Sequence, residues 1–176
     1  YIAVTDHSRS QKIANGMEIE ELKVQWKEID KLSKNFKIKI LKGSEVDILK
    51  DGSLDYPDEI LKKLDVVVGA VHSGFAFPEK RMTERIVTAL ENEYLDILAH
   101  PSGRLLGKRE AYAVNFEKVF EAGLKFCIST DSHAVSDLTS MRYGLGQARR
   151  GWLEKEDIVN TYPYSKLKQV FKKMSM

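Results

Sequence analysis

The sequence predicts an α/β fold built on a parallel sheet, and three observations support that fold class. Apolar runs alternate with helical stripes, which implies parallel strand pairing through right-handed crossovers. The apolar runs are continuous, as expected of strands that are covered on both faces. Polar residues cluster where the runs end, and in a parallel α/β barrel all strand carboxyl ends meet at one face. We therefore expect the chemistry of this chain at that face.

Five apolar runs predict the strands, because each is rich in the β-branched and aromatic residues that strands favour. In chain order they are "YIAVTDH", "FKIKILKGSEV", "DVVVGAVH", "YLDILAH" and "KFCIST". Every run ends in or next to a His, Glu or Asp.

Helices are predicted between and after these strands from apolar residues spaced three and four apart. The first stripe contains Ile19, Leu22, Trp26, Ile29 and Leu32. A short helix should follow Pro57, because proline suits a first helical turn. The predicted helices are 17–34, the segment "LDYPDEILKKL", 82–92, "NFEKVFEAG" ending at Gly123, 139–150 and 165–173.

The composition is that of a soluble globular protein, with 43% hydrophobic and 31% charged residues. Its 176 residues fit one domain. No apolar run approaches the ~20 residues of a membrane span, and the first residues do not resemble a signal peptide. The single cysteine, Cys127, suits a reducing compartment, so we expect a cytoplasmic protein with no membrane partner. The net charge of +2 is too small to indicate nucleic-acid binding.

All four histidines stand at the ends of apolar runs, and two carboxylates occupy similar places. One such histidine is commonly a satisfied buried side chain, but four of four favour a metal site. Several unpaired polar groups would be costly to bury at one face, and divalent metal ions would offset that cost. The residues expected to converge are His7, Glu45, His72, His100, Asp131 and His133.

These motifs resemble the polymerase-and-histidinol-phosphatase (PHP) family of metallo-phosphoesterases, which is built on a distorted seven-stranded β/α barrel. The matching motifs are "TDH" at 5–7, "GSE" at 43–45, "VH" at 71–72, "AHP" at 99–101 and "TDSH" at 130–133. Longer segments are similar to the C-terminal PHP domain of bacterial and archaeal family X DNA polymerases. They are "DILKDGSLDYPDEIL", "VHSGF", "MTERIVTALEN", "DILAHPSGRLLGKRE" and "MRYGLGQARRGWLEKEDIVNT".

The resemblance implies up to three divalent metal ions, commonly manganese or zinc, and a role for each ligand. Glu45 would bridge two ions, and His72 and His100 would complete one site. Asp131 would belong to the site that it shares with Glu45. The third ion would lie between His7 and the remaining histidine, His133. Mixed imidazole and carboxylate ligation suits both metals and does not choose between them.

The resemblance also implies hydrolysis, with metal-activated water attacking phosphorus and metal ions stabilising the developing charge. Glu45 and Asp131 would be catalytic through the metals. Asp6 would orient a ligand, although a capping or turn role is an equal alternative. Arg104 follows the "AHPSG" turn and would contact substrate phosphate. The alternative is that Arg104 is a solvated loop residue without a functional role.

Two features of the family pattern are absent from the 176 residues. The opening His-x-His strand is missing, and "NFEKVFEAG" runs directly into "LKFCIST", without the βα unit that the family places there. We therefore expect a single but partial PHP domain over residues 1–176, belonging to a longer polypeptide. Discontinuities are predicted before Tyr1 and near residues 116–123.

The functional hypothesis is a 3′-5′ exonuclease or DNA 3′-end-processing domain of a family X DNA polymerase. Its partners would be DNA 3′ ends or single strands, with a polymerase domain N-terminal to it in the natural protein. One alternative is a free-standing phosphatase that acts on a small phosphate monoester such as histidinol phosphate. The other is a non-catalytic module whose metal ions stabilise a polymerase.

Overall fold

The computed structural model describes residues 1–105, 107–122 and 126–171. Those residues fall into two compact units. The first contains the residues up to 122 together with Phe171, and the second contains residues 126–170. The assignment of all 176 residues to one domain stays a prediction.

A parallel sheet of four strands organises the first unit, in the order β1-β2-β3-β4. The strands are β1 (Ile2–Val4), β2 (Ile40–Asp47), β3 (Val66–Ala70) and β4 (Ile97–Leu98). All three pairings are parallel. The predicted α/β class and the first four predicted strands are confirmed. Within the described residues the sheet is open, so it is compatible with a distorted barrel and is not a closed one.

Helices lie between and after the strands of the first unit, as the apolar stripes predict. They are α1 (Ile19–Leu32), α2 (Asp58–Leu61), α3 (Glu79–Glu91) and α4 (Phe116–Glu121). α1 begins with a capping box between Glu18 and Glu21, which satisfies exposed backbone N–H groups of its first turn. Leu22, Met82 and Ile86 are fully buried and pack in one core with the strands. Each such side chain contributes about 1.5–3 kcal/mol through burial.

The central strand β2 carries the polar residues of the site into the interior. Successive side chains of a strand point to opposite faces, so Glu45 and Asp47 share one face. Gly43 allows β1 to approach β2 just before them, since a Cβ there would lie 2.9 Å from the carbonyl oxygen of Val4. The local sequence "GSEVD" therefore brings two buried carboxylates to the end of the sheet.

The second unit is helical where the sequence predicts helices. α5 (Met141–Arg150) follows a 3₁₀ segment at Val135–Ser140, and α6 is Tyr164–Val170. The last two residues of the predicted 165–173 helix lie outside the described residues. Among the described residues, every helix is too short or too polar to cross a bilayer.

The prediction of a fifth strand over "KFCIST" is wrong within residues 126–130. Only an isolated parallel bridge joins Phe126 to Ile158. The side-chain amide of Asn160 accepts a hydrogen bond from the Ile128 N–H at 3.1 Å and donates one to the Ile128 carbonyl at 2.5 Å. One amide side chain thus satisfies backbone groups that a neighbouring strand would otherwise pair. A β-favouring sequence does not form a strand without such a neighbour.

The predicted internal discontinuity does not fall within α4, which is continuous across Phe120 and Glu121. This helix begins at Asn115, whose side chain accepts a hydrogen bond from the Lys118 N–H. The rest of the interval, including the predicted helix end at Gly123, lies outside the described residues.

Cys127 should react slowly with thiol reagents in the folded protein. Burial raises the pKa of its thiol to about 11 from an ordinary value of 9.0, and the thiolate is the reactive form. At pH 8 the thiolate fraction then falls roughly 100-fold. Labelling with a disulfide reagent, compared between the native and the denatured chain, measures this difference. Equal rates in the two states would show that the thiol is accessible and ordinary.

Candidate metal centre

Three potential ligands from three consecutive strands meet at the carboxyl end of the sheet. His7 follows β1, Glu45 lies within β2 and His72 follows β3. One ligand atom from each lies within 4.8 Å of the others. They are separated in sequence, so the parallel register of the sheet is what brings them together.

Backbone hydrogen bonds hold the first two of these residues side by side. His7 and Glu45 form a parallel bridge beyond the end of β1. The Glu45 N–H donates to the Asp6 carbonyl at 2.9 Å, and the Ser8 N–H donates to the Glu45 carbonyl at 2.9 Å. The Met17 N–H donates to the His7 carbonyl, also at 2.9 Å. The position of His7 is therefore fixed by the ladder and does not depend on its side chain.

Glu45 is the centre of the cluster and is only 6% exposed. Its Oε1 lies 2.9 Å from His100 Nε2 and 3.5 Å from His72 Nε2. Its Oε2 lies 3.7 Å from His7 Nδ1. Burial raises the pKa of Glu45. The hydrogen bonds from His100 and His72 and the nearby histidine charges lower it by more, so that the net pKa is about 2. The buried carboxylate is therefore anionic at neutral pH.

His72 is oriented by a second buried carboxylate. Its Nδ1 lies 2.5 Å from Asp47 Oδ1, while its Nε2 faces Glu45. Burial lowers the pKa of His72, and the hydrogen bonds with Asp47 and Glu45 raise it by more, to about 9. A histidine held by a carboxylate at one nitrogen presents the other to a metal ion in a fixed direction.

Asp47 is in turn held by the segment that follows β1. The Ser10 hydroxyl donates to Asp47 Oδ2 at 2.5 Å, and the Asp47 N–H donates to the buried Ser8 hydroxyl at 2.9 Å. The Ser10 N–H donates to the buried Asp55 carboxylate at 2.7 Å, and Arg9 donates to the Asp55 carbonyl at 2.8 Å. Asp47 is not among the residues that the sequence predicted for the site. Its signal was the spacing of two from Glu45, which places both side chains on one strand face.

His100 joins the cluster from the end of β4. Its ring centroid lies 5.2 Å from that of His72, and its side chain is partly open to solvent. The backbone at His100 has φ 28°, and the Gly103 N–H donates to its carbonyl at 2.7 Å. The turn after β4 thus directs His100 back toward Glu45. The convergence predicted for His7, Glu45, His72 and His100 is found in the structure.

Two further predicted site residues of the first unit are Asp6 and Arg104. The exposed Asp6 carboxylate accepts a hydrogen bond from the Gln25 side chain at 2.6 Å. Arg104 is exposed, and no hydrogen bond or ion pair of its guanidinium is seen among the described residues. Their roles as an orienting and a substrate-binding residue stay predictions.

Asp131 and His133 lie in the second unit. Asp131 has a left-handed backbone with φ 48°, and His133 Nδ1 lies 2.9 Å from its carbonyl oxygen. The His133 N–H donates to the Asp137 carboxylate at 3.1 Å. This turn holds Asp131 and His133 close together in space. Their assignment as metal ligands stays a prediction.

The chain is similar in sequence to known proteins that are named as an exonuclease and as probable phosphatases. The DNA polymerase/3′-5′ exonuclease PolX of Bacillus subtilis is 38% identical over 191 residues, which cover 91% of this chain and 34% of that protein. Over most of its length the chain is thus similar to PolX. The resemblance that the motifs indicated is therefore confirmed, although no family model matches the chain.

Other relatives of this chain are named as probable phosphatases. One from Caldanaerobacter subterraneus subsp. tengcongensis is 33% identical over 60% of this chain and 41% of its own length. One from Thermoanaerobacter sp. is 38% identical over 51% of this chain and 36% of its own length. The chain thus spans well under half the length of each of these relatives.

The PolX alignment also bears on the missing βα unit. The aligned region of 191 residues is longer than the chain of 176 residues. The Bacillus protein therefore carries residues inside the aligned region that this chain lacks. An internal segment of that kind agrees with the expected absence of one βα unit.

Proposed function

We propose that the chain is a metal-dependent phosphoesterase that removes nucleotides from, or processes, DNA 3′ ends. The observation that carries this proposal is the buried Glu45 carboxylate, surrounded by three histidine side chains at the carboxyl end of a parallel sheet. The 38% identity with PolX over most of the chain supports DNA as the substrate. A DNA substrate and the single cysteine favour the cytoplasm.

The residues present fit a divalent cation. His7, Glu45 and His72 offer one imidazole or carboxylate atom each, within 4.8 Å of one another. The low pKa of Glu45 keeps its carboxylate ionised, as a ligand must be. This mixed donor set suits manganese or zinc. In this proposal Asp131 and His133 would also serve as ligands, for up to three ions in all.

A bound divalent cation would activate water and neutralise charge on the phosphoryl oxygens. The chain's own residues provide the geometry for that chemistry. Glu45 supplies the buried negative charge that would hold cations at the strand ends. Asp47 keeps His72 in one orientation, so that Nε2 stays directed into the cluster. In this proposal Asp131 is catalytic through the metals, Asp6 orients a ligand and Arg104 contacts substrate phosphate.

A phosphatase acting on a small phosphate monoester is the second candidate. The observation that favours it is the set of relatives named as probable phosphatases, which match half or more of this chain. Both candidates use the same cluster, and they differ in the group that leaves with phosphate. In the first, we expect a polymerase domain to accompany this chain in the natural protein.

Comparing substrates in manganese-containing buffer separates these functions. We expect the purified chain to shorten a labelled single-stranded oligonucleotide from its 3′ end, at a kcat/KM at least roughly 10-fold above that for histidinol phosphate. Gel analysis of the products and phosphate release measure the two rates. A higher kcat/KM for the monoester would favour the phosphatase. Bound metal without either activity would contradict both and indicate a structural module.

A further inference from the structure

A second feature beside the metal centre is the segment that follows His100. The backbones of Leu105 and Arg109 form an antiparallel bridge, with hydrogen bonds of 2.9 and 2.8 Å between them. The Gly103 N–H donates to the His100 carbonyl at 2.7 Å. The backbone of Arg109 is therefore fixed to the turn that carries His100.

The Arg109 side chain is held at two points. Its guanidinium lies over the Phe75 ring, 3.9 Å from the ring centroid. Its Nε donates to the Gly103 carbonyl at 2.7 Å. Phe75 comes three residues after His72, and Gly103 comes three residues after His100. Arg109 thus connects the segments that follow two residues of the metal centre.

The platform under Arg109 is itself packed. The Phe75 and Tyr112 rings stack with centroids 6.3 Å apart, and Tyr112 is buried. A Cβ at Gly103, where φ is 57°, would lie 2.5 Å from the Tyr112 ring. Only glycine allows the turn to approach this ring so closely. The surface on which Arg109 rests is therefore defined by contacts on both sides.

The guanidinium keeps hydrogen-bonding capacity after these contacts. Arginine has five N–H donors in a planar fork, and Nε uses one of them. The terminal nitrogens of Arg109 make no hydrogen bond or ion pair with any residue that the structure describes, and the side chain is exposed. The buried Arg85 differs, because it donates to the carbonyls of Leu49, Ile48 and Ser73. Arg85 is a structural residue, whereas Arg109 can still bind a ligand.

We propose that Arg109 also binds a phosphate group of the substrate next to the metal centre, in addition to the contact proposed for Arg104. The inference rests on the proposed phosphoesterase function. A planar guanidinium with two free terminal nitrogens binds phosphate in a bidentate way. Stacking on Phe75 and the bond to Gly103 orient it before substrate arrives, so less conformational freedom is lost on binding. The phosphate belongs either to a nucleic-acid strand or to a small monoester.

Binding is measured without hydrolysis, so that it does not depend on the reaction. The full chain in EDTA is titrated against a fluorescein-labelled single-stranded oligonucleotide, and inorganic phosphate is then added as competitor. We expect Arg109→Ala to weaken oligonucleotide binding roughly 10-fold and to reduce the slope of log K against log salt by about 0.7. Arg109→Lys should recover only part of the affinity, because an ammonium lacks the planar fork. Phe75→Leu should give an intermediate loss.

Arg81→Ala is the matched control. Arg81 also stacks on a phenylalanine, Phe77, at 3.8 Å, but no hydrogen bond ties its guanidinium to the turn after His100 in the described chain. Its loss should change affinity less than about twofold. Thermal unfolding checks that each variant is folded, and Arg109→Lys decides if the alanine variant is not.

The outcomes separate the two proposals. Arg109-dependent binding in a chain that hydrolyses neither substrate would remove the proposed function and keep the phosphate site. Arg109-dependent competition by inorganic phosphate indicates a monoester source, and a loss confined to the oligonucleotide indicates a strand. Affinity within twofold of the parent in Arg109→Ala, or full recovery in Arg109→Lys, would overturn the inference.

Discussion

Replacement of Glu45 by alanine should reduce phosphoester hydrolysis by roughly 10³-fold or more, equivalent to about 4 kcal/mol of transition-state stabilisation. The physical reason is the position of the carboxylate. It is buried, its pKa is lowered to about 2, and both of its oxygens face histidine nitrogens. Without it, the three imidazoles have no central anion to hold cations. Initial rates on a labelled oligonucleotide with added manganese measure the effect.

Two comparisons make the Glu45 experiment specific. Glu20→Ala removes an exposed carboxylate on α1, which pairs only with Lys23 among the described residues, and should leave the rate unchanged. Metal analysis of Glu45→Ala should show that bound manganese is lost together with activity. An attached polymerase activity should survive, because its site would lie in another domain. Hydrolysis within tenfold of the parent would mean that Glu45 is not the central ligand.

The strands that form and the one that does not show what a sequence can predict. β2 and β3 are long apolar runs with a neighbour on each side, and they form where the sequence predicts. The run at "KFCIST" has a similar composition, but the Asn160 side chain pairs the backbone of Ile128 instead. Composition indicates that a segment suits a strand. Whether it becomes one depends on a partner that local sequence does not specify.

The metal centre, like the strands, could be predicted only in part from the sequence. Six ligands were expected because parallel strands bring their carboxyl ends together, and four of them do meet: His7, Glu45, His72 and His100. The pairing of individual atoms was not predictable. It depends on register, such as the bridge between His7 and Glu45, and a slip of one residue would reverse the faces.

The substrate side of the site needed the structure more than the metal side did. Arg104 and Arg109 are both exposed arginines in the same segment, and the sequence does not show which guanidinium is held in place before substrate binds. The difference is the ring of Phe75, which lies 34 positions earlier and contacts only one of the two guanidinium groups. Such a contact arises from the crossover between β3 and β4, so no local pattern encodes it.

The role of Asp47 leads to a prediction that separates orientation from charge. In the metal-free chain the pKa of His72 is about 9, above its ordinary 6.5, so a proton occupies the ring at neutral pH. A metal ion binds the deprotonated nitrogen and must displace that proton. Asp47 therefore has two opposing effects on affinity. It orients the His72 ring for the metal, and it makes His72 bind the competing proton more tightly.

We expect Asp47→Ala to weaken manganese binding roughly 10- to 100-fold at pH 8.5, where orientation dominates. The loss should be smaller at pH 6.5. At that pH metal binding to the parent must still displace the His72 proton. In the variant the pKa of His72 is lower, so proton displacement weakens metal binding less. The signal of free manganese in electron paramagnetic resonance measures affinity at both pH values. Asp30→Ala, which removes an exposed carboxylate paired with Lys42, should bind like the parent.

A double-mutant cycle shows whether Asp47 acts through His72. If it does, His72→Ala combined with Asp47→Ala should bind manganese no more weakly than His72→Ala alone, because the ring that Asp47 orients is already absent. Asp47→Asn keeps a carbonyl acceptor for the His72 Nδ1–H without the negative charge. It should therefore retain much of the ring orientation while lowering the pKa of His72. It should therefore bind better than Asp47→Ala at both pH values. Additive losses in the cycle, or a loss for Asp47→Ala that grows toward pH 6.5, would show that Asp47 supports the fold or binds metal directly instead of orienting His72.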